Sequence, residues 1–203
     1  KQARFQLITT GKISQKQLLF EDQHLERLRK ASRYFAYPFD PEILRQKIEA
    51  ECQTCDANQD YRLRISISKS GKIELSRQIL TPLSPHFCQA KLCLQEANLQ
   101  QAFTYFKTSH RPHLNLDKQE IIYHNARGEL LETSIGNLVL KIAGKLYTPP
   151  IRLGILPGIY RQHLLETGQV EEKILTLADL VQAEAIYGCN AVRGLYALSL
   201  EEN

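Results

Sequence analysis

The stretch that most narrows the choice of fold is residues 61–68, YRLRISIS, where apolar and polar side chains alternate. A period of two places Leu63, Ile65 and Ile67 on one face and Arg62, Arg64 and Ser66 on the other, which is the mark of a half-buried strand. Lys69-Ser70-Gly71 supplies turn chemistry, and KIELSRQIL returns as the partner strand. The chain is thereby committed to antiparallel β structure.

Helical signals precede this hairpin. Leu25, Leu28 and Phe35 recur at helical spacing, so a helix is expected from about Asp22 to Phe35. Pro38 and Pro41 end it, and Pro41 can open a second helix running to about Glu51. Residues 4–9, RFQLIT, read as an opening strand, with Gly11 marking a turn. Pro82 and Pro85 suggest a linker at 81–88, between a small N-terminal α/β domain at 1–80 and a larger C-terminal α/β domain at 89–203 that carries the chemistry.

The second half alternates short strands and turns. IIYHNARGELLE reads as strand, turn and strand, bent at Arg127-Gly128, and NLVLKIAGKLYT as a hairpin around Gly144. A helix is expected over 158–167, opened by Gly158 and ended near Gly168. Thr176 can cap a short helix at 177–183, and the last strand is expected near 185–189. The fold class is mixed α/β (α+β), in two lobes rich in antiparallel pairs.

With 203 residues, 43% of them hydrophobic, the chain can bury a substantial core. A net charge of +4, without a basic stripe interleaved with aromatics, argues against a nucleic-acid partner and suits a small anionic ligand. No apolar run reaches the roughly 18–20 residues of a membrane span, and the start, KQARFQLITT, lacks the apolar core of a signal peptide. Five cysteines, an odd number, favour reduced thiols and a cytoplasmic location. Cys52 and Cys55 form a CxxC, but Cys88 and Cys93 are too loosely spaced to complete a zinc knuckle, so no metal is expected.

Four segments carry the chemistry: FKTSHRP at 106–112, LETSIGN at 131–137, TPP at 148–150 followed by GILPGIYR at 154–161, and CNAVRG at 189–194. A fifth, HLERL at 24–28, precedes them. Their order and spacing resemble the class IV, or fold-type IV, pyridoxal-phosphate enzymes. These include branched-chain and D-amino-acid aminotransferases and aminodeoxychorismate lyases. The resemblance spans nearly the whole chain and implies a two-lobed, D-amino-acid aminotransferase-like fold with pyridoxal 5'-phosphate as cofactor.

It also implies roles. Lys107 stands at the KT motif, where the family's lysine holds the cofactor covalently; an amine becomes nucleophilic once burial lowers its pKa. Glu132, in the pattern E-x-x-x-x-N with Asn137, would keep the cofactor's ring nitrogen protonated. Gly136 stands where the family often has Ser. The Pro157-Gly158 turn would start a helix whose backbone N–H groups, at Ile159 and Tyr160, bind the phosphate. Arg27, one turn beyond His24, would add a charge-assisted phosphate contact. Asn190 stands where several aminotransferases have a threonine phosphate ligand. Arg193 and Arg152 are candidates for the substrate carboxylate. His110 and His113 flank the lysine motif as structural groups rather than bases.

KTSHRP, CNAVRG, the PFD at 38–40 and the short chain all resemble the lyase that converts 4-amino-4-deoxychorismate to 4-aminobenzoate and pyruvate. Thr9, where many members have Glu, is a departure from the family, and Leu114, where many such lyases have Tyr, a departure from the lyases. The alternatives are an aminotransferase acting on branched-chain or D-amino acids, and a relative that only binds. The family implies a homodimer, and the lyase reading implies aminodeoxychorismate synthase as pathway partner.

Overall fold

The computed structural model describes residues 5–95, 101–114 and 119–201. The chain divides into two compact units, Lys1–Thr81 with Phe106–Arg111, and Pro82–Tyr105 with Pro112–Asn203. The lysine segment thus groups with the first unit rather than with the C-terminal domain expected to carry it.

In the first unit, Leu7–Ser14 (β1), Gln17–Leu18 (β2), Tyr61–Ile67 (β3) and Ile73–Ile79 (β4) form an antiparallel sheet in the order β2-β1-β3-β4. The inward set of the alternation, Leu63, Ile65 and Ile67, is buried. Glu21–Phe35 (α1) and Pro41–Gln53 (α2) complete the unit. α1 buries His24, Leu25, Leu28, Ala31 and Ser32, the i, i+1, i+4, i+7, i+8 set of one helical face. α2 starts as its sequence dictates: the Asp40 carboxylate accepts from the Glu42 and Ile43 N–H groups, and Pro41 occupies the first turn.

Gly11 does not mark a turn. It lies inside β1, paired with Leu63. The chain reverses instead at Gln15 and Lys16, both left-handed, with φ of 49° and 62°. Glycine is needed at 11 for space, because a Cβ there would lie 2.5 Å from His24 Nε2 and 2.8 Å from Leu18 Cδ1.

The second unit contains Gln89–Leu94 (β5), Gln101–Tyr105 (α3), Ile121–His124 (β6), Leu130–Thr133 (β7), Asn137–Ile142 (β8) and Lys145–Thr148 (β9). It continues through Ile159–Glu166 (α4), Glu171–Glu172 (β10), Leu177–Gln182 (α5), Ala185–Asn190 (β11) and Gly194–Leu200 (β12). β11 is therefore not the last strand: β12 follows it and pairs back on it from Asn190↔Gly194 to Ile186↔Leu198. β5 and α3 carry no clear pattern in the sequence, and every β5 residue except Ala90 is exposed.

The sheet order is β10-β9-β8-β11-β12-β5-β6-β7, and β7 also pairs with β8. That extra pairing closes six of the strands into a ring. The closing link is one pair, Glu132↔Asn137, the two ends of the E-x-x-x-x-N motif. The interior is apolar, with Ile122, Leu130, Leu138, Leu140 and Leu175 fully buried. No helix among the described residues is long and apolar enough to cross a membrane.

Candidate active site

The first unit gathers cations. Phe106 packs its ring on Tyr34 and Phe35 of α1, at centroid distances of 4.6 and 5.4 Å. The residues after it lie along β1: the Ile8 N–H donates to the Lys107 carbonyl at 2.9 Å, and the Ser109 N–H to the Gln6 carbonyl at 2.8 Å. Leu7 and Thr108 form the antiparallel bridge between them. Thr108 is buried, and its hydroxyl donates to the His110 carbonyl at 2.7 Å. An aromatic anchor and a backbone ladder thus fix the main chain of Lys107.

His24 and Arg27 come from α1. His24 is buried, with Nδ1 2.6 Å from the Thr9 hydroxyl. Burial first, then the charges of Arg27 and Lys107, push its pKa down to about 3, so the imidazole is neutral at pH 7. Thr9, in place of the family's common Glu, gives this neutral ring a neutral partner. Burial of Arg27, and the Arg111 guanidinium acting on it, pull Arg27 down to about 10, where it is still charged at neutral pH. Arg27, Lys107 and Arg111 crowd like charge together, an arrangement suited to an anion.

The second unit places its groups on three linked turns. Glu132, 2% exposed, accepts through Oε2 from the Leu156 N–H at 3.3 Å, and Asn137 Nδ2 donates to the Leu156 carbonyl at 2.8 Å. The ends of the closing strand pair therefore hold the Leu156 main chain through both its N–H and its carbonyl. Two residues later Gly158 begins α4, with no side chain capping the helix start. A Cβ at Gly158 would collide with Asn137 Oδ1, so glycine lets the helix start approach the turn. The N–H groups of Ile159 and Tyr160 head this helix, where an anion is favoured.

The Asn190 side chain is engaged by main-chain groups. Its Oδ1 accepts from the Val192 and Arg193 N–H groups at 3.0 and 2.9 Å, and its Nδ2 donates to the Ile135 carbonyl at 3.3 Å. Its side chain shapes the β11–β12 turn and ties it to the 132–137 turn. The Tyr160 ring lies over Gly194, where a Cβ would be 3.3 Å from it. Arg193 is half-buried, and burial lowers its pKa. Arg152 is exposed, on a short 3-10 turn at Ile151–Leu153.

Three residues of this region have no role assigned from the sequence, although Arg161 closes the GILPGIYR segment. Arg161, 2% exposed on α4, donates to the Pro149 carbonyl at 2.9 Å and pairs with Glu172, fastening the helix to the strand end before it. Buried Glu120 accepts from the half-buried Tyr196 phenol, next to the 132–137 turn. The His113 carbonyl accepts from Gln95 Nε2 at 3.2 Å. All five cysteines are free, and among the described residues no three His, Cys, Asp or Glu side chains gather as a metal would need.

Each unit, taken by itself, holds groups whose donor chemistry suits a part of pyridoxal phosphate. A buried carboxylate suits a protonated ring nitrogen, an uncapped helix start whose glycine no Cβ could replace suits a phosphate, and a lysine among arginines suits an aldehyde on an anionic ligand.

Comparison with known proteins agrees with this chemistry. The profile of the family described as amino-transferase class IV matches residues 6–199. An uncharacterized protein of Haemophilus influenzae is 37% identical over 68 residues, 34% of this chain and 35% of that protein. The aminodeoxychorismate lyase of Saccharomyces cerevisiae is 23% identical over 243 aligned positions, 85% of this chain and 65% of the yeast enzyme. This chain thus spans less than two thirds of both relatives. A solved structure from Mesorhizobium loti, provisionally described as an amino-acid aminotransferase, superposes with a TM-score of 0.81 at 28% identity, over 97% of this chain and 100% of that one.

Proposed function

Because this chain belongs to the class IV aminotransferase family, we propose that it is a pyridoxal 5'-phosphate-dependent enzyme, and more narrowly a 4-amino-4-deoxychorismate lyase that releases 4-aminobenzoate and pyruvate. The observation that carries the cofactor reading is the buried Glu132 carboxylate held beside the uncapped helix start at Gly158. The narrower reading is supported by the yeast lyase, which aligns with most of this chain.

The cofactor, when bound, supplies an electron sink for the substrate's amine-bearing carbon. This chain's residues do the rest. Lys107 would hold the cofactor, and its amine would move a proton at the substrate carbon. Glu132 holds a proton on the ring nitrogen. Arg27 in the first unit, and the N–H groups of Ile159 and Tyr160 in the second, are each candidates to bind the phosphate. Asn190 positions its turn rather than ligating through its side chain. Arg193, half-buried at the end of that turn, is the better candidate for a substrate carboxylate, because Arg152 stands in solvent. The substrate is a small anionic amino compound, the place of action the cytoplasm, the assembly a homodimer, and the pathway that of folate, supplied by aminodeoxychorismate synthase.

The second reading, an aminotransferase, is favoured by the Mesorhizobium structure, which matches at higher identity than the yeast lyase. One experiment separates the two. Aminodeoxychorismate is generated from chorismate by its synthase in the presence of this protein. Appearance of 4-aminobenzoate and pyruvate supports the lyase. Without release, conversion of the bound cofactor to its amine form by an added branched-chain or D-amino acid makes it an aminotransferase. A protein that retains no yellow chromophore once added pyridoxal phosphate is dialysed away supports neither, and favours the relative that only binds.

A further inference from the structure

Glu120 and Tyr196 have no part in the roles above, yet both are placed with care. Glu120, fully buried, leads into β6; Tyr196 comes from β12. The phenol donates to Glu120 Oε2 at 3.1 Å, and the Ile135 N–H donates to Oε1 at 3.3 Å. Burial raises the Glu120 pKa, while these donors pull against that rise. Burial and the neighbouring carboxylate hold the phenol well above its ordinary value, so it stays a donor.

Their surroundings are cut to fit. A Cβ at Gly136 would lie 2.9 Å from the Tyr196 hydroxyl and 2.6 Å from the Cys189 carbonyl oxygen, and a Cβ at Gly188 would collide with the Tyr196 ring. Two glycines on neighbouring segments thus make the slot through which the phenol reaches Glu120. A buried carboxylate costs free energy, so a fold that keeps one and clears two side chains for its partner uses it to fix something.

What it fixes is the turn from Thr133 to Gly136. That turn is closed by the Thr133 N–H donating to the Gly136 carbonyl at 2.9 Å, and is joined to β6 by the Ile121 N–H donating to the Ser134 hydroxyl at 3.0 Å. Glu132 precedes it and Asn137 follows it. We propose that Glu120 and Tyr196 are positioning residues, a carboxyl–phenol brace that sets the 133–136 turn and thereby aims Glu132 at the cofactor's ring nitrogen. The proposal rests on the reading of Glu132 given above.

The test uses Tyr196→Phe and Glu120→Gln in the cofactor-loaded protein. Two quantities are read: cofactor retained on dialysis, and the magnetic resonance of an isotope-labelled ring nitrogen. Loss of the phenol hydroxyl is expected to weaken retention about tenfold, the effect of losing one hydrogen bond to a charged group. It should also shift the ring nitrogen toward its unprotonated resonance. Glu120→Gln, which keeps an acceptor oxygen and the side-chain shape, should shift it less. A lower melting temperature with the ring-nitrogen resonance unmoved would make the pair merely structural and overturn the proposal. If Tyr196→Phe does not fold, Glu120→Gln carries the test alone: a resonance that stays at its wild-type position overturns the proposal. Failure of the wild-type protein to take up pyridoxal phosphate would instead remove the reading of Glu132, and the proposal with it.

Discussion

In the N-terminal unit, Arg27, Lys107 and Arg111 crowd positive charge around a neutral His24. In the C-terminal unit, Glu132 and Glu120 are buried among backbone N–H groups and a phenol. The first arrangement is made by long side chains, and the second by turns that bring main-chain donors to carboxylates. The difference teaches where each set is fragile. A side-chain set is removed by single substitutions that spare the fold. A turn-built set is spoiled by anything that moves the backbone, which is why Gly136 and Gly158 leave no room for a Cβ.

The sharpest way to break this comparison is at Lys107. Lys107→Ala is expected to lower turnover by about 10³-fold or more, since on the proposed reading it removes both the covalent anchor and the group that moves the proton. Because its main chain is held by the ladder to β1, the fold should persist. After borohydride reduction, mass spectrometry should find the cofactor's mass on the wild-type protein and not on the variant. Cofactor still attached to the variant would mean that another lysine is the anchor. Glu132→Gln should have the next largest effect, about 10²-fold in kcat, because an amide keeps an acceptor for the Leu156 N–H but cannot hold the ring nitrogen charged. An unchanged kcat would place the ring nitrogen's partner elsewhere.

How much of this was legible depends on which kind of set is asked about. Side-chain groups announce themselves by spacing: His24 and Arg27 one turn apart, Lys107 within FKTSHRP, Glu132 five residues before Asn137. Hairpins with a strong period or left-handed turn residues were legible too, such as β3–β4, and β8–β9 around Ala143 and Gly144, with φ of 49° and 76°. Groups that depend on pairing between distant strands were not. Glu120 and Tyr196 are 76 residues apart and meet only because β12, β5 and β6 lie side by side. Gly11 was misleading for a related reason: glycine can serve a turn or a close approach, and only the neighbouring His24 decides which. β5, most of whose residues are exposed, has no alternation to announce it.

A smaller effect sharpens the account of the cationic unit. His24 is held neutral, with a folded pKa of about 3 against an ordinary 6.5. The unfolded chain therefore takes up a proton below pH 6.5 that the folded chain refuses until about pH 3. This contribution is fully present above pH 6.5 and is lost as pH falls toward 3. Denaturant unfolding should show about 2 kcal/mol less stability from His24 at pH 5 than at pH 7. His24→Gln, which cannot titrate, should remove that part of the difference. A variant with the same pH dependence as wild type would show that the folded imidazole titrates as it does in the unfolded chain, so that neither burial nor the nearby cations depress it.

The smallest expected effect compares two helix starts within the C-terminal unit. α5 begins with a complete capping box: the Thr176 hydroxyl accepts from the Asp179 N–H at 3.3 Å, and the Asp179 carboxylate accepts from the Thr176 N–H at 2.8 Å. α4 begins on bare Gly158. A helix start that serves only the fold is satisfied by its own side chains, whereas one meant for an anion has to leave its donors to the ligand. Thr176→Ala should therefore cost about 1 kcal/mol of stability by denaturant unfolding. It should leave cofactor retention unchanged. The bound phosphate should in turn stabilise the protein, most visibly as protection of the Ile159 and Tyr160 amides from hydrogen exchange, with no added protection at Leu177 or Ala178. Equal protection at both helix starts would mean that the bare start at Gly158 is not where the phosphate sits.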